Sequence, residues 1–333
     1  MVPADAPDPR AVLAAFGLPG EPVAVTEVEG AWSNRVLRLR TTEGDYAVKE
    51  LRNAWGEPRW REWLDEGWRL ELAALEAGVA VPEPVRTADG GCLAHVPRSD
   101  RSRDVPVRVH RWVESAQVPR EPVDRGVARW VGRTLARVHG LALRPGVPGL
   151  YAGRLGLTTA EVWPDLVGRS AAAGAPWTSA LARAEPTARR ATALLVPWDG
   201  ADELLCHGDV DQKNLLLAPD GPRLCDWDVV LPRLPAHDLA EAALTMASWR
   251  VPAVAASVVD AYRAAGGARW PLTPTDLGPS LASRLGWIRF TVDRALEARA
   301  AGATTPEAAG VPGLLTDLAH RVVVAESLGH WLG

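Results

Sequence analysis

The stretch LLCHGDVDQKNLLLAPDGPRLCDWD, residues 204–228, admits few folds. Two apolar runs, NLLLA and RLCDWD, flank Pro219-Asp220-Gly221-Pro222, and a tetrad of turn residues between apolar segments specifies a β-hairpin. Asp209 and Asn214 then lie on the segment entering the first strand, and Asp226 and Asp228 leave the second. Groups 12 to 19 residues apart in the chain are thereby brought to one end of the hairpin. Two carboxylates and an amide oxygen are hard oxygen donors, suited to Mg²⁺ that also binds phosphate oxygens. One further acid is left to orient or accept a proton. Phosphoryl transfer needs this division between charge neutralisation and positioning of the attacking group.

The rest of the chain narrows the classes open to it. With 333 residues it has length for two lobes, and 47% hydrophobic against 23% charged residues is ordinary for a folded cytosolic protein. A formal charge of −4 offers no basic footprint for nucleic acid or an anionic membrane. Three cysteines without a CxxC support neither a disulfide framework nor a zinc ribbon, and Cys206, Cys225, His207 and His237 lack zinc-ligand spacing. The N-terminal segment is acidic and broken by prolines, and no stretch approaches 18 uninterrupted apolar residues, so a cytoplasmic location is expected. Basic charge comes from 35 arginines and only two lysines, Lys49 and Lys213, and asparagine occurs only at Asn34, Asn53 and Asn214. Lysine and arginine are not interchangeable at a phosphate, where lysine acts as a compact point charge. Lys49 and Asn214 therefore call for an explanation.

Alternating segments PVAVTEVEG, RVLRLRTTEG and DYAVKELR, separated by turn signals, predict an antiparallel meander. A helix follows, with Trp60, Leu64, Trp68, Leu72 and Leu75 on one face and a stop at Gly78. Two further strands, GGCLAHV and VPVRVHRWVES, flank the charged run PRSDRSRD, which reads as a hairpin loop. From residue 115 the pattern turns helical, so the chain divides into a lobe at 1–114 and another at 115–333. Residues 144–176 read as loops.

HGDVDQKN followed by CDWD resembles the HxDxxxxN and metal-binding aspartate motifs of the aminoglycoside phosphotransferase and choline kinase group, which has a protein-kinase-like fold. YAVKEL resembles that family's strand-three lysine motif, VHRWVES its hinge and LARVHGLA the helix before its catalytic loop, within a resemblance spanning roughly residues 20 to 300. The resemblance implies an α+β bilobal fold: a five-stranded antiparallel sheet with one helix, then a mainly helical lobe. It makes Asp209 the catalytic acid that orients or deprotonates a hydroxyl, and Asn214 and Asp226 the metal ligands. Asp228 is either a third ligand or a hydrogen-bonding brace. Lys49 would grip nucleotide phosphates, with Glu66 favoured over Glu62 and Glu71 as its helix partner. Ser33 and Asn34 would hydrogen-bond phosphate from a Gly-poor loop, and the backbone of Arg111 to Val113 would meet the adenine. The implied cofactors are ATP, or GTP, and Mg²⁺; the implied state is a monomer or homodimer. The activation segment that holds a peptide in protein kinases has no counterpart, which favours a small-molecule acceptor: an antibiotic, or a primary metabolite such as homoserine, choline or a sugar. A pseudokinase that binds nucleotide without turnover is the alternative. A cationic acceptor would need acids such as Asp238, Glu241, Asp293 and Glu297 beside the cleft.

Overall fold

The computed structural model describes the chain except residues 1, 2, 4, 30–33, 53–55, 57, 119–120, 148–149, 151–156, 304–305 and 333. It divides into two compact units, residues 1–118 with 213–230, and residues 119–212 with 231–333.

The first unit is built on strands β1 (Pro22–Val28), β2 (Arg35–Thr41), β3 (Asp45–Glu50), β4 (Pro84–Val85), β5 (Ala94–Pro97) and β6 (Asp104–Arg111). They form one antiparallel sheet in the order β1-β2-β3-β6-β4, with β5 also paired to β6. This is one strand more than expected. The extra strand, β4, is two residues long inside VPEPV, too short to show an alternating pattern. Side chains alternate across a strand, so Leu37, Leu39, Val48, Val107 and Val109 all face one side and pack there with Val12, Leu13 and Phe16. Those last three belong to α1 (Pro9–Phe16), a helix the proline-broken N-terminal segment does not advertise. Its prolines and glycines nevertheless follow the rule for helix ends: Pro9 opens it, Asp8 accepts from the Arg10 N–H (3.0 Å), and Gly17 closes it in the left-handed region. With that face filled, Lys49 and Arg108 fall on the other side of the sheet. Helix α2 (Trp60–Glu76) provides their surroundings there.

The hairpin forms with a two-residue loop. Strand β9 (Leu215–Ala218) pairs with β10 (Gly221–Leu224) in the register Ala218↔Gly221 and Leu215↔Leu224, and β7 (Ala116–Gln117) pairs with β9 on its other edge. Residues 213–230 thus belong to the first unit although they follow the helical segment in sequence.

The second unit is helical. It comprises α3 (Arg125–Gly140), α4 (Trp163–Ala172), α5 (Thr178–Ala193), α6 (Pro235–Met246), α7 (Pro252–Ala264), α8 (Gly278–Ala300), α9 (Pro306–Glu326) and α10 (Leu328–Leu332), with β8 (Leu204–Cys206) antiparallel to β11 (Leu231–Arg233). Helix α4 corrects the expectation of loops across 144–176: Trp163 and Leu166 are buried, and Pro164 near its start suits a first turn. Helices α3 and α7 cross closely because Gly132 has no Cβ; one built there would lie 2.1 Å from the Val258 carbonyl oxygen. No helix among the described residues is long and apolar enough to cross a membrane.

Candidate active site

Hairpin register explains the first cluster. Leu215 pairs with Leu224, so the next residues out, Asn214 and Cys225, are also side by side, and the Cys225 N–H donates to the Asn214 carbonyl oxygen at 2.9 Å. Asp226 follows at once in the left-handed region (φ 69°), a backbone turn that leads into the short 3₁₀ helix at 227–229 and its Asp228. Asn214 is 4% exposed.

Across the sheet, Lys49 on β3 pairs with Arg108 on β6, placing two cations on one face. Adjacent like charges repel unless a carboxylate lies between them, and Asp228 does so. Its Oδ1 accepts from Arg108 Nη1, and its Oδ2 lies 2.5 Å from Lys49 Nζ. Lys49 Nζ also donates to Asp226 Oδ1. Arg108, 1% exposed, donates through Nη2 to Glu71 Oε2 at 2.6 Å, and the His110 ring nitrogen lies 2.9 Å from Glu71 Oε1. Burial alone would push Lys49 down, but Asp226 and Asp228 override it and hold the ammonium above its ordinary range. Burial would likewise raise Asp228, and Lys49 with Arg108 instead keeps it well below the usual carboxylate value.

This arrangement departs from the expected pairing of Lys49 with Glu66. The described ion pair of Glu66 is with Arg69 (2.8 Å), and Glu62 pairs with Arg59 at the surface. Glu71 is the helix acid in the buried network, reached by Arg108 rather than Lys49. The physical reason is register: the cation opposite Lys49 takes up the helix carboxylate, leaving Lys49 to the two aspartates. Arg108 is the site residue that the motifs do not mark; its one sequence signal is an arginine among the alternating valines of VPVRVHR, a buried charge that needs a carboxylate.

Helix α2 carries the aspartate turn on a close contact. A Cβ on Gly67 would lie 2.5 Å from the Trp227 carbonyl oxygen, and Trp63 Nε1 donates to the Val230 oxygen at 2.7 Å. Gly67→Ala should therefore destabilise the protein by about 1–3 kcal/mol. A shift in the urea midpoint checks this; a change below about 0.5 kcal/mol would mean the turn moves off the helix without cost.

The other expected nucleotide contacts lie in the same unit. Asn34 accepts from the Arg52 N–H through Oδ1 (3.2 Å), and Ser33 lies outside the described residues. The Arg111 N–H donates to the Glu83 oxygen and the Trp112 N–H to the Asp45 oxygen (2.8 and 2.9 Å). Among the described residues the Val113 N–H has no such partner.

Asp209 belongs to the second unit. Its loop is pinned on both sides: the Gly208 N–H donates to Asp238 Oδ1 (3.3 Å), and Gln212 Nε2 donates to the Thr245 oxygen (2.6 Å) and Ser248 Oγ (3.2 Å). His139 lies between Asp238 Oδ2 (3.2 Å) and the Tyr262 hydroxyl (3.0 Å). Burial would raise Asp238, but the His139 hydrogen bond holds it low. Asp238 is thus a buried brace of the loop, not an acceptor-binding acid. Asp293 is taken by Arg169 at the surface, and Glu297 is exposed. Glu241 alone of those four acids lines the cavity that holds Asp209, a space of about 210 Å³ that also presents Asp211, Ser280, Arg284 and Arg321.

Comparison with known proteins decides what chemistry this frame serves. The model of the phosphotransferase enzyme family matches residues 24–272. The chain belongs to that family. This phosphotransferase has the protein-kinase-like fold of several solved enzymes. A spectinomycin phosphotransferase in complex with ADP and spectinomycin shares 12% identity over 97% of each chain, with a TM-score of 0.65. An amicoumacin kinase in complex with AMP-PNP and Ca²⁺ shares 11% over 94% of this chain and 92% of its own, with a TM-score of 0.64. A microcompartment-associated aminopropanol kinase shares 16% over 97% of each chain, with a TM-score of 0.61. No curated protein matches the chain.

Proposed function

We propose that this phosphotransferase transfers the γ-phosphate of ATP, or GTP, to a hydroxyl of a small molecule, an antibiotic or a related small metabolite, in the cytoplasm. The observation that carries the reading is the Lys49 ammonium held between Asp226 and Asp228, at the end of the hairpin that carries Asn214. The two carboxylates already share one cation, and with the amide of Asn214, which the hairpin register sets beside Cys225, they would make a hard-oxygen set of the kind that suits Mg²⁺. Asn214 and Asp226, with Asp228 as third ligand or brace, would hold it; the ion would neutralise charge on the nucleotide phosphates. Lys49 grips those phosphates, Ser33 and Asn34 donate to them, and the Val113 N–H meets the adenine edge. Asp209, on a loop fixed by Asp238 and Gln212, aligns the acceptor hydroxyl and receives its proton. Nothing in this chemistry requires a second subunit, and a monomer or homodimer would serve.

An ATP-consumption screen with Mg²⁺ tests this, run against aminoglycosides, other antibiotics, amino alcohols, sugars and hydroxy acids. Lys49→Ala should lower kcat/KM for ATP by about 10²–10³-fold, the scale for removing one charge stabiliser from a transition state. An unchanged value would exclude the nucleotide role. Mg-ATP binding without turnover of any acceptor would instead support a pseudokinase.

A further inference from the structure

The cavity around Asp209 carries both signs of charge, and its carboxylates and guanidinium groups are not equally committed. Glu241 has both oxygens engaged: Oε2 accepts from Arg233, and Oε1 accepts from Ser280 Oγ at 2.9 Å. Its charge is spent inside the protein, which leaves Asp209 and Asp211 as the other acids of the cavity wall. The arginines are under-compensated. Arg284 Nη2 lies 2.6 Å from Asp317 Oδ2, and Arg321 Nε donates to that same oxygen at 2.7 Å, so two guanidinium groups share one carboxylate. Arg321 also stacks over Trp249, 4.6 Å from the ring centre, and keeps to the cavity wall. Among the described residues the Arg284 Nε–H is buried and has no hydrogen-bond partner. A buried guanidinium donor left without an acceptor is costly, and an arriving oxygen anion removes that cost. Burial and the neighbouring Arg321 charge both weigh against the Arg284 cation, which is the mark of an incompletely balanced site. The volume of about 210 Å³ lies below the roughly 300 Å³ at which pockets for drug-sized ligands begin.

We infer that the acceptor is a small hydroxyl compound that also bears an anionic oxygen group, a carboxylate or a phosphate, received by Arg284 and Arg321 while its hydroxyl meets Asp209. This rests on the phosphotransfer reading and narrows it, away from large polycationic antibiotics and toward small acidic metabolites. The planar fork of arginine suits both anions, and Ser283, on the turn of α8 that carries Arg284, adds a hydroxyl to the same wall.

The test uses the full chain, Mg-ATP and matched acceptors: glycerol 3-phosphate against glycerol, 3-hydroxybutyrate against its amide, and homoserine against 3-amino-1-propanol. The anionic member of at least one pair should show kcat/KM at least about tenfold above its partner. Which pair responds separates the carboxylate from the phosphate. Arg284→Gln should raise KM for that acceptor at least about tenfold, and Arg284→Lys should recover part of the loss. Arg321→Gln, expected to act in the same direction, keeps the test open if Arg284→Gln does not fold. Equal or better turnover of the neutral or cationic members overturns the acceptor class. So does a protein that binds Mg-ATP, measured by calorimetry, yet is not accelerated by any anionic probe. Failure to bind Mg-ATP would strike the phosphotransfer reading itself.

Discussion

Asp209→Asn is expected to lower kcat by about 10²–10⁴-fold, the range attributed to a positioned general base, with Mg-ATP affinity unchanged within about threefold. The asparagine keeps the shape of the side chain but cannot take a proton. The loop should stay in place, because its anchors are the Gly208 N–H on Asp238 and Gln212 on Thr245 and Ser248, none of which involves the Asp209 carboxylate. Affinity should persist because the proposed nucleotide contacts, Lys49, Asn214 and Asp226, are separate residues. Coupled ADP-release kinetics and calorimetry on the same preparation provide both readings. Turnover within tenfold of the parent would remove Asp209 from the proton transfer, and a matching loss of Mg-ATP binding would assign it to the metal instead.

Arg108→Ala should produce the largest loss of stability, about 3–5 kcal/mol, because it strips the partner from two buried carboxylates at once. Glu71 and Asp228 are 1% and 8% exposed, and the described partners left to them would be the His110 ring and the Lys49 ammonium. The pH dependence has a definite sign. In the parent, Asp228 and Glu71 both have folded-state values below the ordinary one. Their contribution is complete above the unfolded carboxylate value near about 4 and is lost as pH falls through the depressed values. Without Arg108, both groups lose one of the charges that hold them low against burial, so they take up protons at higher pH than in the parent and protonation relieves part of the loss. The stability gap between variant and parent should therefore shrink as pH is lowered from about 7 toward 4. Urea denaturation at both ends of that range checks it. A gap that stays constant or widens would mean the carboxylates never relied on Arg108. Arg108→Met, which retains the packing volume, separates the charge from the cavity left by truncation.

The two strongest sequence signals have different origins. The hairpin could be read because Pro219-Asp220-Gly221-Pro222 encodes its own turn, and the observed register, Ala218 opposite Gly221, follows from a two-residue loop. Lys49 could be read because lysine is so rare in this chain that its presence in an apolar strand demands a reason. The same composition concealed the arginines. Arg108, Arg284 and Arg321 are three among 35, and of these only Arg108, set among the valines of VPVRVHR, carries a local sign of burial. The helix acids show the same limit. Glu62, Glu66 and Glu71 share one helix, and their partners turned out to be Arg59, Arg69 and Arg108. Asp238 reads as a surface acid on an amphipathic helix until His139, about a hundred residues earlier in the chain, is found against it.

By itself the sequence determined most of the elements, α1, α4 and the short β4 excepted, and their chemistry: strand alternation, the hairpin turn, and a set of hard oxygen donors with one lysine. These are consequences of backbone geometry and residue type within a few positions of each other. Only the tertiary structure decided the pairings. Lys49 meets Asp226 and Asp228 rather than a helix glutamate, and Glu241 is silenced by Arg233 and Ser280. Arg284 and Arg321 are left sharing a single aspartate. Charge pairing depends on strand register and helix packing, which join residues from a few to more than a hundred positions apart, and Coulomb attraction between buried groups chooses among partners that sequence distance cannot rank.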